Sequence, residues 1–201
     1  VLRTTNSGVV LATIKTFIHL TTDMANIHRQ LYERIKVPML TLLASNVDEL
    51  VFCILKHIEL LINRCPGIFD AEFKQFYTKF NEPLHVKYLK IDLLAQLANV
   101  NNMTDILDEL CVYVAEVDAE LARSAIRAIG KVGFKLPEGF EIGVFDKLTE
   151  FLDLEVPYVR AEALLVLKNL LRKYPDRRGN VLPVLARCLK EVEESDSLGA
   201  V

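Results

Sequence analysis

Apolar residues return along this chain at intervals of three and four, and one short run of them restarts at Val10, Val51, Val86, Leu121 and Val159. The steps between these starts are 41, 35, 35 and 38 residues. Val51 is followed by Ile54, Leu55 and Ile58, Val86 by Leu89, Leu93 and Leu94, and Leu121 by Ala125, Ala128 and Ile129. Val159 leads to Ala163, Val166 and Leu167, and Val10 opens a looser copy with Ile14, Phe17 and Ile18. Spacings of three, four, seven and eight place these side chains on one helix face. A second apolar segment follows each run, at 37–43, 69–80, 103–114, 140–154 and 181–189.

The unit is therefore helix, turn, helix, repeated about five times with nine or ten helices in all. One such pair cannot bury its apolar faces alone, so neighbours must stack. The predicted fold class is all-α, an α-α superhelix of HEAT/armadillo-like solenoid type. Lys90 falls where the register asks for an apolar residue, so the pattern is degenerate.

Start and stop signals agree with this period. Asn6-Ser7, Asn46 and Asp118 suit N-caps, and Pro83 and Pro157 suit first turns. Cys65-Pro66-Gly67 and Tyr174-Pro175-Asp176 end long helices, and 133–139 reads as the least regular connection. Both ends look cut: a helical pattern starts near Val1, and apolar residues return at Leu198 after an acidic stretch. The expectation is one fragment, 1–201, of a longer solenoid truncated at both ends.

Composition narrows the function classes. A net charge of −3 carries no general attraction to nucleic acid or anionic lipid. Lys15 and Lys56 break the longest apolar stretches well short of the ~20 residues a bilayer requires. The four cysteines, at 53, 65, 111 and 188, include no close pair, which fits a reducing compartment, the cytosol.

Candidate chemistry is thin. Cys53 and His57 share a helix face four residues apart, but no second pair completes a metal site, and the bland reading is a core cysteine beside a partly exposed histidine. Phe73, Phe76, Tyr77 and Phe80, interleaved with Lys74 and Lys79, could stack nucleic-acid bases, but their spacing reads as one buried helix face. Gly130-Lys131 and Gly133 lack the strand and spacing of a phosphate loop, and Gly130 suits close helix packing instead. Phe151 to Glu155 approaches a clathrin-box pattern but completes a helix. Arg172, Lys173, Arg177 and Arg178 form the one notable basic cluster, a helix end and the loop after it. Asp105, Asp108 and Glu109 fall at solvating positions. No catalytic, cofactor-binding or metal residue is nominated, and no enzyme is expected.

Three stretches carry the reading further. Lys79-Phe80-Asn81-Glu82-Pro83-Leu84-His85-Val86-Lys87, with Lys90-Ile91-Asp92, resembles the "K-Y-N-D-P-hydrophobic-x-V-K … K-L-D" passage of β-adaptin trunks. Glu116-Val117-Asp118, then Arg123 and Ala125-Ile126-Arg127-Ala128-Ile129-Gly130, resembles that family's "E-V-D … R-K-A-V-R-A-I-G" helix. Arg172-Lys173-Tyr174-Pro175 is similar to its "R-K-Y-P" helix end, and Asn6 to Leu11 to its "N-S-A-V-V-L". The order and separations agree along essentially the whole chain.

The resemblance implies the middle to C-terminal part of the trunk of a large β subunit of a heterotetrameric vesicle-coat adaptor. It implies medium, small and other large adaptor subunits as partners, peripheral attachment to trans-Golgi and endosomal membranes, and sorting of cargo. The clathrin-binding hinge, the appendage and the Arf-type GTPase contact would fall outside this stretch. Two departures stand out. Arg178 replaces a family Tyr, and Leu136-Pro137-Glu138-Gly139 replaces a more polar connection, which points toward the fourth adaptor complex or a divergent homologue.

Candidate partner contacts on helix faces away from the core are Lys87, Lys90, Arg123, Arg127, Arg160 and Lys168, with the cluster at Arg172, Lys173, Arg177 and Arg178. The competing readings are a coatomer large subunit, or a HEAT scaffold of nuclear transport or of a phosphatase. Only Tyr158-Val159-Arg160 approaches the Asp-Val-Arg signature of those HEAT scaffolds.

Overall fold

The computed structural model describes residues 6–45 and 47–198. Among them are nine α-helices: α1 (Ser7–Leu20), α2 (Ala25–Leu43), α3 (Asp48–Arg64), α4 (Leu84–Leu97), α5 (Met103–Val114), α6 (Ala119–Lys135), α7 (Ile142–Leu152), α8 (Pro157–Lys173) and α9 (Arg178–Leu198). Two short 3-10 turns, Phe73–Phe76 and Pro175–Arg177, complete the described elements, with no strand. None of the described helices is long and apolar enough to cross a membrane. The chain divides into two units, Val1–Leu97 and Ala98–Val201.

In the first unit each helix packs on the next in chain order. The Asn6 side chain accepts the Val9 N–H and so caps α1, whose buried face is Val10, Ile14 and Ile18. In α2 the buried side chains include Tyr32, Ile35 and Met39, and the helix continues past Pro38. In α3 Val51, Ile54, Leu55 and Ile58 are buried as the register requires, and Arg64 donates to the Ile18 carbonyl at 2.8 Å. Each such fully buried aliphatic side chain contributes roughly 1.5–3 kcal/mol, which is why the faces must be covered.

The second unit is the more regular. Asp118 caps α6 by accepting the Leu121 N–H at 2.8 Å, and Pro157 occupies the first turn of α8. α6 and α8 lie side by side and run parallel: Arg123 meets Tyr158, Arg127 meets Glu162, and Gly130 meets Val166. α5 packs on α6 and α7 on α8, forming a second layer behind them. A Cβ built on Gly130 would stand 2.6 Å from Val166 Cγ1, so the missing side chain sets how closely the two helices approach.

Several expectations need correction. Residues 69–80 are not an α-helix: the segment is turns around the 3-10 turn Phe73–Phe76. Phe69, Phe73 and Phe76 are buried there, but Phe80 is 89% exposed. Cys53 is exposed rather than in the core, and His57 Nδ1 lies 2.7 Å from its carbonyl oxygen. The connection at 133–139 starts later than expected, because α6 runs through Gly133 to Lys135. Asn46, read as an N-cap, lies outside the described residues.

Candidate partner-binding surface

Nine of the ten cations singled out in the sequence fall into three environments, and Arg177 forms a separate pair with Glu141. Lys87 and Lys90 are buried, so they do not lie on a face turned away from the core. The Lys90 ammonium bonds Glu82 Oε1 at 2.5 Å and the Tyr77 carbonyl at 3.1 Å. Burial pushes it below the ordinary lysine value, Lys79 adds to the shift, and Glu82 opposes it. The Lys87 stem is covered while its ammonium sits 6.0 Å from the Phe80 ring centre. A long aliphatic stem lets lysine occupy an apolar register position while its head reaches a polar partner.

The second group forms cross-links between neighbouring helices. Arg127 grips Glu162 in a two-pronged pair at 2.8 and 3.0 Å, and that hydrogen-bonded carboxylate raises the guanidinium pKa further. Arg123 pairs with Glu120 on its own helix and lies 5.8 Å from the Tyr158 ring centre. Arg160 donates to the Leu154 carbonyl, which ties it to the turn before α8. Lys173 donates to the Phe134 carbonyl and lies 4.7 Å from the Tyr174 ring centre.

Lys168, Arg172 and Arg178 make up the third group, exposed and without an ion-pair partner among the described residues. Lys168 and Arg172 share the outer face of α8, with Leu165 about one turn N-terminal to Lys168 and Ala161 on the same stripe. Arg127 keeps half of its side chain in solvent, on the adjacent face of α6. Arg127, Lys168 and Arg172 together define an open basic face of the α6/α8 layer, and Arg178 lies beyond it at the start of α9.

A second feature lies where α6 and α8 end. Tyr174 hydroxyl donates into the pair of carbonyls at Gly133 and Leu136, 3.0 and 3.1 Å away. Arg177 Nη2 bonds Glu141 Oε1 at 2.8 Å, and Glu141 Oε2 accepts the Gly139 N–H at 2.6 Å. Burial pushes the Glu141 carboxyl up, but these donors and its own N–H outweigh it and hold it below the usual range. Gly139 adopts φ 97°, a conformation that suits glycine. Glu138, Lys173 and Asp176 complete a polar recess of about 240 Å³ at this corner. The two stretches that depart from the β-adaptin pattern are thus neighbours in space. The signal was in the sequence: Glu141 and Arg177 are oppositely charged and 36 residues apart, close to one repeat.

Cys111 is half-buried, and burial raises its pKa, so its thiol is protonated near neutral pH. Glu109 accepts the Tyr113 hydroxyl at 2.6 Å. Among the described residues no group of three His, Cys, Asp or Glu side chains is placed to hold a metal ion.

The model of the adaptin N-terminal region matches residues 1–201. The chain belongs to the adaptin family. It is 47% identical over 171 residues to beta-adaptin-like protein A of Arabidopsis thaliana, covering 85% of this chain and 20% of that protein. It is 32% identical over 198 residues to the AP-2 complex subunit beta of Schizosaccharomyces pombe, covering 98% of this chain and 29% of that one. It is 33% identical over 199 residues to the human AP-1 complex subunit beta-1, covering 98% of this chain and 21% of that one. The chain therefore spans less than a third of the length of these relatives. A homology model of the full-length AP-3 complex in an intermediate open conformation aligns with TM-score 0.73 at 20% identity, over 92% of this chain and 30% of that one. That likeness shows the helical-repeat fold.

In this adaptin the motif residues turn out to hold the scaffold together. Glu82 of the first motif accepts the Lys79 N–H at 2.9 Å and bonds Lys90. Gly130 of the second allows α6 and α8 to touch, and Tyr174 of the third locks α8 onto the end of α6.

Proposed function

We propose that this adaptin chain is a non-enzymatic scaffold segment of a β-type large subunit in a vesicle-coat adaptor complex. In this reading it binds the medium, small and second large subunits, sits peripherally on trans-Golgi and endosomal membranes, and serves cargo sorting without touching nucleic acid. Residues 1–201 act as one segment of the trunk, and the Arf-type GTPase contact lies elsewhere. The observation that carries the reading is the adaptin match along the whole length of the chain. The surface chemistry supports it: the charged side chains are spent on cross-links between helices or stand exposed on helix faces, the pattern of a binding scaffold.

The adaptor type differs from the first and second complexes. Identity to AP-1 and AP-2 β subunits stays near one third, whereas the Arabidopsis β-adaptin-like protein reaches 47%. The stretch 136–139 and the residues just before Arg178 meet in one corner of the second unit, where a change of partner would be read. The fourth complex is the assignment these departures favour.

Co-expression of the chain with each set of medium, small and large adaptor subunits from the same source tests the proposal. Capture of one medium subunit, in preference to the others, is expected. Capture of none by a chain with a helical circular-dichroism spectrum would contradict it.

A further inference from the structure

The second unit segregates its charge by layer. α5 carries acids and no base, with Asp105 and Asp108 exposed, whereas on the other layer Arg127, Lys131, Lys168 and Arg172 are all exposed. From these observations we infer that the α6/α8 face docks an acidic segment of another protein chain. The inference rests on the scaffold reading above and adds the chemistry of the occupant.

Three features of the face select that occupant. Its cations stand in two rows held at a fixed distance, because Gly130 lets α6 and α8 pack tightly and Arg127 is clamped to Glu162. Fixed rows lose little freedom on binding, which favours a partner with regularly spaced carboxylates. Apolar side chains share the face: Leu165 is 50% exposed and Phe134 41%. They ask for an occupant that offers both acid and hydrocarbon, as an amphipathic acidic peptide does. Finally, acidic residues outnumber basic ones across 98–201, so a broad anionic bilayer would meet the unit's exposed acids as well as this face, whereas charges more than a Debye length of about 8 Å away are screened. A narrow peptide fits within that distance of the basic rows.

The test is fluorescence anisotropy of a labelled twelve-residue peptide built from Glu-Leu-Glu-Ala repeats, titrated with the chain. Saturable binding is expected. The double variant Lys168→Glu with Arg172→Glu should weaken it by roughly tenfold, as reversal of facing charges does. Lys15→Glu with Arg187→Glu, two exposed cations outside α6 and α8, should change it by less than about twofold. Equal loss in both double variants would overturn the inference in favour of unspecific polyanion binding. Absence of peptide binding, with co-sedimentation on phosphatidylserine vesicles that the first variant abolishes, would overturn it in favour of a bilayer. Capture of a medium subunit that survives the first double variant, together with no peptide binding, would sink this inference and leave the scaffold reading standing. Peptide binding without capture of any adaptor subunit would do the reverse.

Discussion

Residues 69–80 and residues 103–114 occupy equivalent places in the repeat and space their apolar side chains alike, yet only the second stretch is an α-helix. The first is rich in aromatic residues and contains Thr78, all of modest helix propensity. It is also boxed in by Pro66-Gly67, with Gly67 at φ 88°, and by Pro83. Its aromatic side chains form a compact plug instead, with Phe69 and Phe76 edge to face at 6.0 Å and Phe73 and Tyr77 at 6.1 Å. The second stretch has Leu, Met and Glu, with Asp105 in its first turn, and follows its propensity. A segment without a helix leaves backbone groups in need of partners. Lys90 on α4 supplies one by donating to the Tyr77 carbonyl, and Glu82 supplies another by accepting the Lys79 N–H. A lysine at an apolar register position is thus the counterpart of a missing helix in the facing segment.

Breaking that compensation gives the largest effects. Lys90→Ala removes the cation that bonds the Glu82 carboxylate and the Tyr77 carbonyl, and should cost about 3–5 kcal/mol in urea unfolding. Combining Lys90→Met with Glu82→Leu should recover a good part of the loss, since an apolar replacement of both partners removes the unpaired charge. Phe76→Ala, which empties the centre of the aromatic plug, should cost a comparable ~3–5 kcal/mol.

The regular unit should respond to close packing instead. Gly130→Ala places a Cβ against the stiff Val166, an overpacking cost of about 1–3 kcal/mol. The ~1 kcal/mol gained in helix propensity offsets part of it, so a modest fall in Tm is expected. Acid sharpens the comparison at the Glu141 corner. The folded Glu141 carboxyl sits below its unfolded value, so the unfolded chain takes up the proton first as the pH falls. Its stabilisation is whole above about pH 5 and disappears as the pH drops through the folded value. Glu141→Gln should therefore lower the urea midpoint near neutral pH and show a smaller further drop in acid than the unaltered chain. The smallest effect belongs to Phe80→Ser, expected within about 0.5 kcal/mol because that ring is already in water. A helical 69–80 segment with Phe80 in the core would instead make it costly.

Much of this fold was legible in the sequence, because spacing by three and four placed the buried faces of α3, α6 and α8, and Asn6 and Asp118 marked the caps of α1 and α6 correctly. Periodicity misled at 69–80, since a 3-10 turn flanked by aromatic residues produces the same spacings as a helix. Residue type misled at Cys53, Lys87 and Lys90: Cys53 is exposed, Lys87 is buried, and Lys90 is buried where the register asks for an apolar residue although its charge suggested a free surface. The surface pairs were legible in principle. Arg127 with Glu162 and Glu141 with Arg177 stand 35 and 36 residues apart, one repeat, and opposite charges at that offset meet on stacked repeats. No local pattern reveals them.

Lysine footprinting tests the scaffold account most directly. Acetylation rates at Lys131 and Lys168 on the basic layer, and at Lys147 on the opposite layer, would be compared in the chain alone and in the complex captured with adaptor subunits. The account predicts several-fold protection of Lys131 and Lys168 with Lys147 unchanged. Protection of Lys147 alone, or of none of the three in a stable complex, would contradict it.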